Sequence, residues 1–166
     1  MARIVALLRG VNLGKRQLPM AGLRSGLEAA GCTDVSTYVQ SGNVVLTPPK
    51  DAGKDIADWL GRVIGDIAGF AVPVVVRTKA QMAEVVAANP YPQAGGTTLH
   101  VIFCSPTPPA VTTDLDAVAP EHATVVGSDV YLHLPNGMGR ATLPALVEKD
   151  LKRAGVVGTA RNWNTV

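Results

Sequence analysis

Three short polar segments hold most of the residues able to do chemistry: Arg9-Gly-Val-Asn-Leu-Gly-Lys15, Gln40-Ser-Gly-Asn43 and Arg161-Asn-Trp-Asn164. The first lies between an apolar run and a helical pattern, where phosphate loops usually occur. A triphosphate loop needs G-x-x-x-x-G-K-[ST], so that backbone N–H groups wrap the phosphates and a hydroxyl reaches magnesium. Here Gly10 and Gly14 stand one residue too close, and Arg16 occupies the hydroxyl position. A nucleoside triphosphatase is therefore not expected. A weaker anion-binding reading survives, with glycines freeing the backbone and Arg9, Lys15 and Arg16 offering cationic donors. Equally, Gly-rich strand-to-helix loops often serve only as turns.

Gln40, Ser41 and Asn43 surround a tight turn. Ser41 has no G-x-S-x-G elbow and no neighbouring histidine, so it is not read as a nucleophile. The amides suit recognition of a base or sugar, and they suit the turn itself. A further Gly-rich stretch, Leu134-Pro-Asn-Gly-Met-Gly-Arg140, leads towards a helix, where Arg140 can meet an anion at the N-terminus. In the last segment, Trp163 between Asn162 and Asn164, with Arg161 alongside, can stack on a planar ligand and bond its edge. The competing reading is a core tryptophan whose neighbours cap a helix start.

The remaining titratable residues read as structural. His100 and His133 fall in expected strands and His122 in a loop, with no H-x-x-x-H spacing for zinc. Cys32 and Cys104 stand alone, as reduced thiols of a cytosolic protein would. No metal or cofactor is expected. Asp51, Asp55 and Asp58 gather at a helix start, where they favour the macrodipole.

These segments need a scaffold, and the composition supplies one. Hydrophobic residues make up 47% of the 166 and charged residues 17%, a balance that excludes a disordered chain and allows a sizeable core. No apolar run reaches membrane-spanning length, and Ile4–Leu8, closed by Arg9, is too short for a signal peptide. A cytoplasmic protein without membrane partners is expected. Residues 1–79 carry ten Lys/Arg against six Asp/Glu, residues 80–139 five acids and no base, and residues 140–166 five bases against two acids. The two ends share a positive sign and would form a modest basic patch if they met, although such charges usually just solvate helix faces.

Arg3–Arg9 reads as a buried strand, followed by a helix with Met20, Leu23, Leu27 and Ala30 at helical spacing and Gly31 as its stop. Val35–Gln40 and Asn43–Thr47 read as a hairpin closed by the two residues Ser41-Gly42. Ile56, Leu60, Val63, Ile64 and Ile67 mark a second helix, and Val72–Arg77 a fourth strand. The resulting β-α-β-β-α-β order is the ferredoxin-like pattern. The second half repeats it less cleanly: a helix over 80–88, strands over 99–104, 124–126 and 129–134, a short helix near 114–118, and a helix over 143–153. The class is α+β, with two ferredoxin-like halves, 1–78 and 79–166. Strands such as VPVVV and LHVIF are apolar at every position, which predicts cover on both faces and halves packed as one compact unit.

Taken together, RGVNLGKRQLPM, TYVQSGNVVL, VPVVVRT, LHVIF, YLHLPNGMGR and TARNWNTV closely resemble the domain of unknown function 1697 family over essentially the whole chain. The resemblance implies two ferredoxin-like halves and a bacterial cytoplasmic protein, and no established activity. One departure stands out. Where the family usually reads Ser-Lys after the GxGR loop, this chain reads Ala141-Thr142, losing a hydroxyl and a cation together.

Three functions compete. One is binding of a phosphorylated, nucleotide-like or nucleic-acid ligand by Arg9, Asn12, Lys15, Gln40, Ser41, Asn43, Arg140, Arg161, Asn162 and Trp163. The nucleic-acid version is weakened by 4% aromatics and by a third strand, NVVLT, without stacking residues. The second is a small-molecule enzyme, with Arg9 or Arg161 holding an anion and Tyr38 or Ser41 handling a proton. The third is a non-catalytic interaction module whose loops only brace the fold. Convergence of RGVNLGK, QSGN and RNWN on one pocket would favour a ligand.

Overall fold

A computed structural model describes residues 2–112 and 114–166. The chain divides into two units, residues 1–81 and 82–166. The fold is mixed α+β, with two four-stranded antiparallel sheets and four α-helices among the described residues.

The first unit runs β1 (Ile4–Leu8), α1 (Met20–Ala29), β2 (Thr33–Tyr38), β3 (Asn43–Thr47), α2 (Ile56–Ala68) and β4 (Val74–Thr78). Its strands lie in the order β2-β3-β1-β4. Alternation along β1 sends Ile4, Ala6 and Leu8 to one face. There they join Val44 and Leu46 of β3 and the buried stripes Leu23 and Leu27 of α1 and Leu60 and Ile64 of α2. Each of these leucines is fully buried, a gain of about 1.5–3 kcal/mol apiece over exposure. On the opposite face Leu7 and Val75 are buried too, as their uninterrupted apolar runs predict.

The helix boundaries follow local chemistry. Asp55 caps α2 by accepting a 2.9 Å bond from the Asp58 amide, and Asp58 pairs with Arg62 one turn on. Gly69 ends the helix in the left-handed conformation. Asp51 sits apart, in a 3-10 turn at Lys50–Ala52. Pro19 takes the N-cap position of α1 and offers no side-chain cap.

The hairpin differs from the two-residue expectation. β2 ends at Tyr38, opposite Asn43, so four residues make the turn. Val39 already has φ +53°, which takes the chain off the strand path before Gln40 is reached.

In the second unit, α3 (Lys79–Ala87), which spans the division between the units, leads to β5 (Leu99–Ser105), β6 (His122–Val126), β7 (Asp129–His133), α4 (Leu143–Arg153) and β8 (Val157–Asn162). The strand order β6-β7-β5-β8 repeats that of the first sheet. Leu143, Val147 and Leu151 of α4 pack on Ile102, Val130 and Leu132. Two expectations fail here. The short helix near 114–118 is only a 3-10 turn at Asp116–Val118, which cannot run on into an α-helix because Pro120 lacks the N–H that would bond back to it. β8 has no counterpart in the sequence reading, and His122 begins a strand rather than sitting in a loop. Gly158 in β8 lies so close to β5 that an added Cβ would sit 2.7 Å from the Ile102 Cγ2. A glycine in that role lowers the local strand signal.

Candidate functional site

The RGVNLGK and QSGN segments meet in the first unit, and Asn12 is what joins them. Its backbone has φ +56°, a conformation asparagine tolerates better than most residues. Its Nδ2 donates to the Gln40 carbonyl at 2.6 Å, and its Oδ1 accepts from the Leu18 amide at 2.8 Å. Its own N–H donates to the Arg16 carbonyl, and Arg16 N–H returns a bond to Leu13, so residues 13–16 form a closed turn. Arg16 then anchors this turn, donating to the Ala71 carbonyl at 2.6 Å and lying 4.9 Å from the Phe70 ring centroid.

The hairpin side is held as tightly. Leu8 N–H donates to the Gly42 carbonyl. An added Cβ on Gly42, whose φ is +91°, would fall 2.8 Å from both Leu8 Cβ and Val11 Cγ2. Only glycine allows that approach. Asn43 is buried, and its Nδ2 donates to the Tyr38 carbonyl at 2.9 Å and to Ser41 Oγ at 3.1 Å. It braces the turn.

Between the two segments lies an open groove of about 390 Å³. Its polar lining is three amides, Asn12, Gln17 and Gln40; its apolar lining is Leu18, Pro19, Met20 and Val39. No titratable side chain lines it. The amides are not equally available. Both ends of Asn12 are spent on backbone, and Gln17 donates to the Gly14 carbonyl at 2.7 Å, leaving its oxygen. The Gln40 carboxamide is exposed and has no partner among the described residues. Arg9, Lys15 and Ser41 are exposed on the same segments. Leu13 in RGVNLGK, and Tyr38 and Val39 just before QSGN, are large apolar residues left exposed.

The other expected site residues belong to the second unit. Arg161 lies in β8 and is buried, donating to Thr159 Oγ1 at 2.7 Å and the Ala160 carbonyl at 2.8 Å. Burial pulls its guanidinium down to about 10. Asn162 Oδ1 accepts from Thr165 N–H and Oγ1, closing a turn rather than capping a helix start. Trp163 is half-buried, and its backbone N–H donates to the Leu99 carbonyl. Arg140 is exposed in a 3-10 turn. The helix N-terminus beyond it is already filled: Glu121 accepts from the Thr142 and Leu143 amides at 2.9 and 2.8 Å.

Sequence reasoning missed Gln17, Leu18, Pro19 and Met20 as groove walls. The sequence reads as a loop up to Leu18 and as a helix from Met20, and neither pattern marks a groove. It also missed a cluster in the second unit, where Tyr91 Oη contacts His122 Nδ1 at 2.5 Å and Thr124 Oγ1 at 2.6 Å and its ring stacks on His133. These residues are far apart in sequence, and no spacing rule joins them. No group of three metal-ligating residues occurs among the described residues.

No curated protein matches the sequence. Among solved structures, the chain is similar to a conserved bacterial protein, SP0830, from Streptococcus pneumoniae. The identity is 19% and the TM-score 0.73, over 99% of this chain and 94% of the other, which makes them alike in fold. A family model described as "Protein of unknown function (DUF1697)" matches residues 1–131, a span that holds RGVNLGK and QSGN and stops short of GMGR and RNWN. The chain belongs to that family.

Proposed function

We propose that the first unit is a binding module whose groove between RGVNLGK and QSGN takes a phosphorylated or nucleotide-like ligand. The observation that carries this is the uncommitted Gln40 carboxamide in a groove of about 390 Å³, a volume within the range of small-molecule sites. Asn12 and Asn43 hold the walls, and Gln40 and Gln17 face the ligand. Arg9 and Lys15, exposed on the RGVNLGK segment, with the uncapped start of α1, favour an anionic end on that ligand. Binding is preferred to catalysis because the groove lining offers no acid, base or nucleophile.

The scaffold under this reading is a pair of ferredoxin-like plaits. The β-α-β-β-α-β order of the first unit and the shared strand order of the two sheets support it. The second unit would replace the first helix of the plait with the Pro-rich segment.

The test is calorimetric titration with AMP, ribose 5-phosphate and a short single-stranded RNA at low and high salt. Sub-millimolar binding of the small phosphates that weakens with salt is expected. Binding of RNA alone, with the salt slope of several phosphate contacts, would replace the small-ligand reading with a nucleic-acid one.

A further inference from the structure

We infer that the groove seats the edge of a nucleobase, with Gln40 as the residue that reads it. This rests on the binding reading above and names the part of the ligand that enters. The lining contains no charge, so the moiety inside is neutral and any phosphate stays at the rim. Pro19, Met20 and Val39 supply apolar surface of the kind that covers the face of a flat heterocycle. A carboxamide presents an acceptor and a donor side by side, the pattern that pairs with an exocyclic amine next to a ring nitrogen.

Among the three amides, only Gln40 has both of its ends free of hydrogen bonds to the described residues. Asn12 has neither, and Gln17 keeps its oxygen and one hydrogen. The Gln40 carbonyl is fixed by Asn12 at 2.6 Å, so the backbone that carries the reading amide is held before a ligand arrives. Bulk sugars would gain little from the apolar wall. A bare phosphate would meet no cation inside.

The experiment is a 15N-resolved NMR titration of the full chain with adenosine, AMP and ribose 5-phosphate, following the Gln17 and Gln40 side-chain NH2 resonances. The same titrations are run on Gln40→Ala, which removes no side-chain hydrogen bond among the described residues. Adenosine and AMP are expected to shift both amides, with AMP the tighter, and Gln40→Ala to weaken adenosine about tenfold, the value of a bidentate base contact. Ribose 5-phosphate binding as tightly as AMP, with adenosine silent, would overturn the nucleobase inference and leave the phosphate reading standing. Equal adenosine binding by wild type and Gln40→Ala would overturn the role of Gln40. Silence of all three ligands at about 10 mM, a concentration that reveals even very weak affinity, would overturn both readings.

Discussion

Replacing Asn12 separates the contributions that hold the groove together. Asn12→Gly keeps the left-handed backbone at φ +56° and removes the bonds to Gln40 and Leu18. Each such bond is worth about 0.5–1.5 kcal/mol net, and the one to Gln40 is solvent-exposed, so a loss of about 1–2 kcal/mol is expected. Asn12→Ala removes the same bonds and also strains the backbone, adding about 1 kcal/mol. The chain has two tryptophans, Trp59 in α2 and Trp163 in the second unit. In a Trp163→Phe background, Trp59 packs against the first core and its fluorescence follows that unit alone. Urea unfolding read at Trp59 should give the order wild type, Asn12→Gly, Asn12→Ala, with an unchanged slope. Asn12→Ala within about 0.5 kcal/mol of wild type would refute the view that this residue ties the two segments.

Other perturbations have definite expected outcomes. Gly42→Ala should cost about 2–4 kcal/mol by the same assay, combining a left-handed penalty with overpacking of a Cβ against Leu8 and Val11. Glu121→Ala should destabilise the second unit by about 1–2 kcal/mol, since the Thr142 and Leu143 amides lose their acceptor; Trp163 fluorescence during urea unfolding, in a Trp59→Phe background, checks it. Acid should act through His100. Its Nδ1 is buried without a hydrogen-bond partner among the described residues, and burial holds the imidazole below the ordinary histidine range. A depressed histidine binds its proton more readily in the unfolded chain. Its contribution is therefore complete above the unfolded value near 6.5 and is lost as pH falls from there through the folded value. Melting curves between pH 8 and pH 5 should show a larger loss of stability for wild type than for His100→Leu, and an equal loss would refute the role of His100.

The scaffold was largely legible from the chain because its signals are local. Leu23 and Leu27, Leu60 and Ile64, and Leu143, Val147 and Leu151 repeat at helical spacing, and each set is buried. The final strand was not legible, since Gly158 is there for its closeness to Ile102, a contact made by tertiary packing. The four-residue turn escaped for a related reason: nothing in Val39 announces a positive φ. For the site, RGVNLGK, QSGN and RNWN stand out together in the sequence, but the division of labour within the first two does not. Asn12, Asn43 and Gln40 are alike as amides, and hydrogen bonds alone separate two braces from one uncommitted group. Arg161 and Arg140 were offered as anion contacts on type and motif. Burial commits Arg161 to Thr159 and Ala160, and the helix end beside Arg140 already holds Glu121.

The groove itself is tested most directly by a crystal structure of the chain grown with AMP. The proposal places the ligand against Pro19, Met20 and Val39, with its base within hydrogen-bond distance of the Gln40 carboxamide and the Asn12–Gln40 bond unbroken. AMP bound elsewhere on the first unit, with Gln40 Nε2 and Oε1 facing solvent, would contradict it.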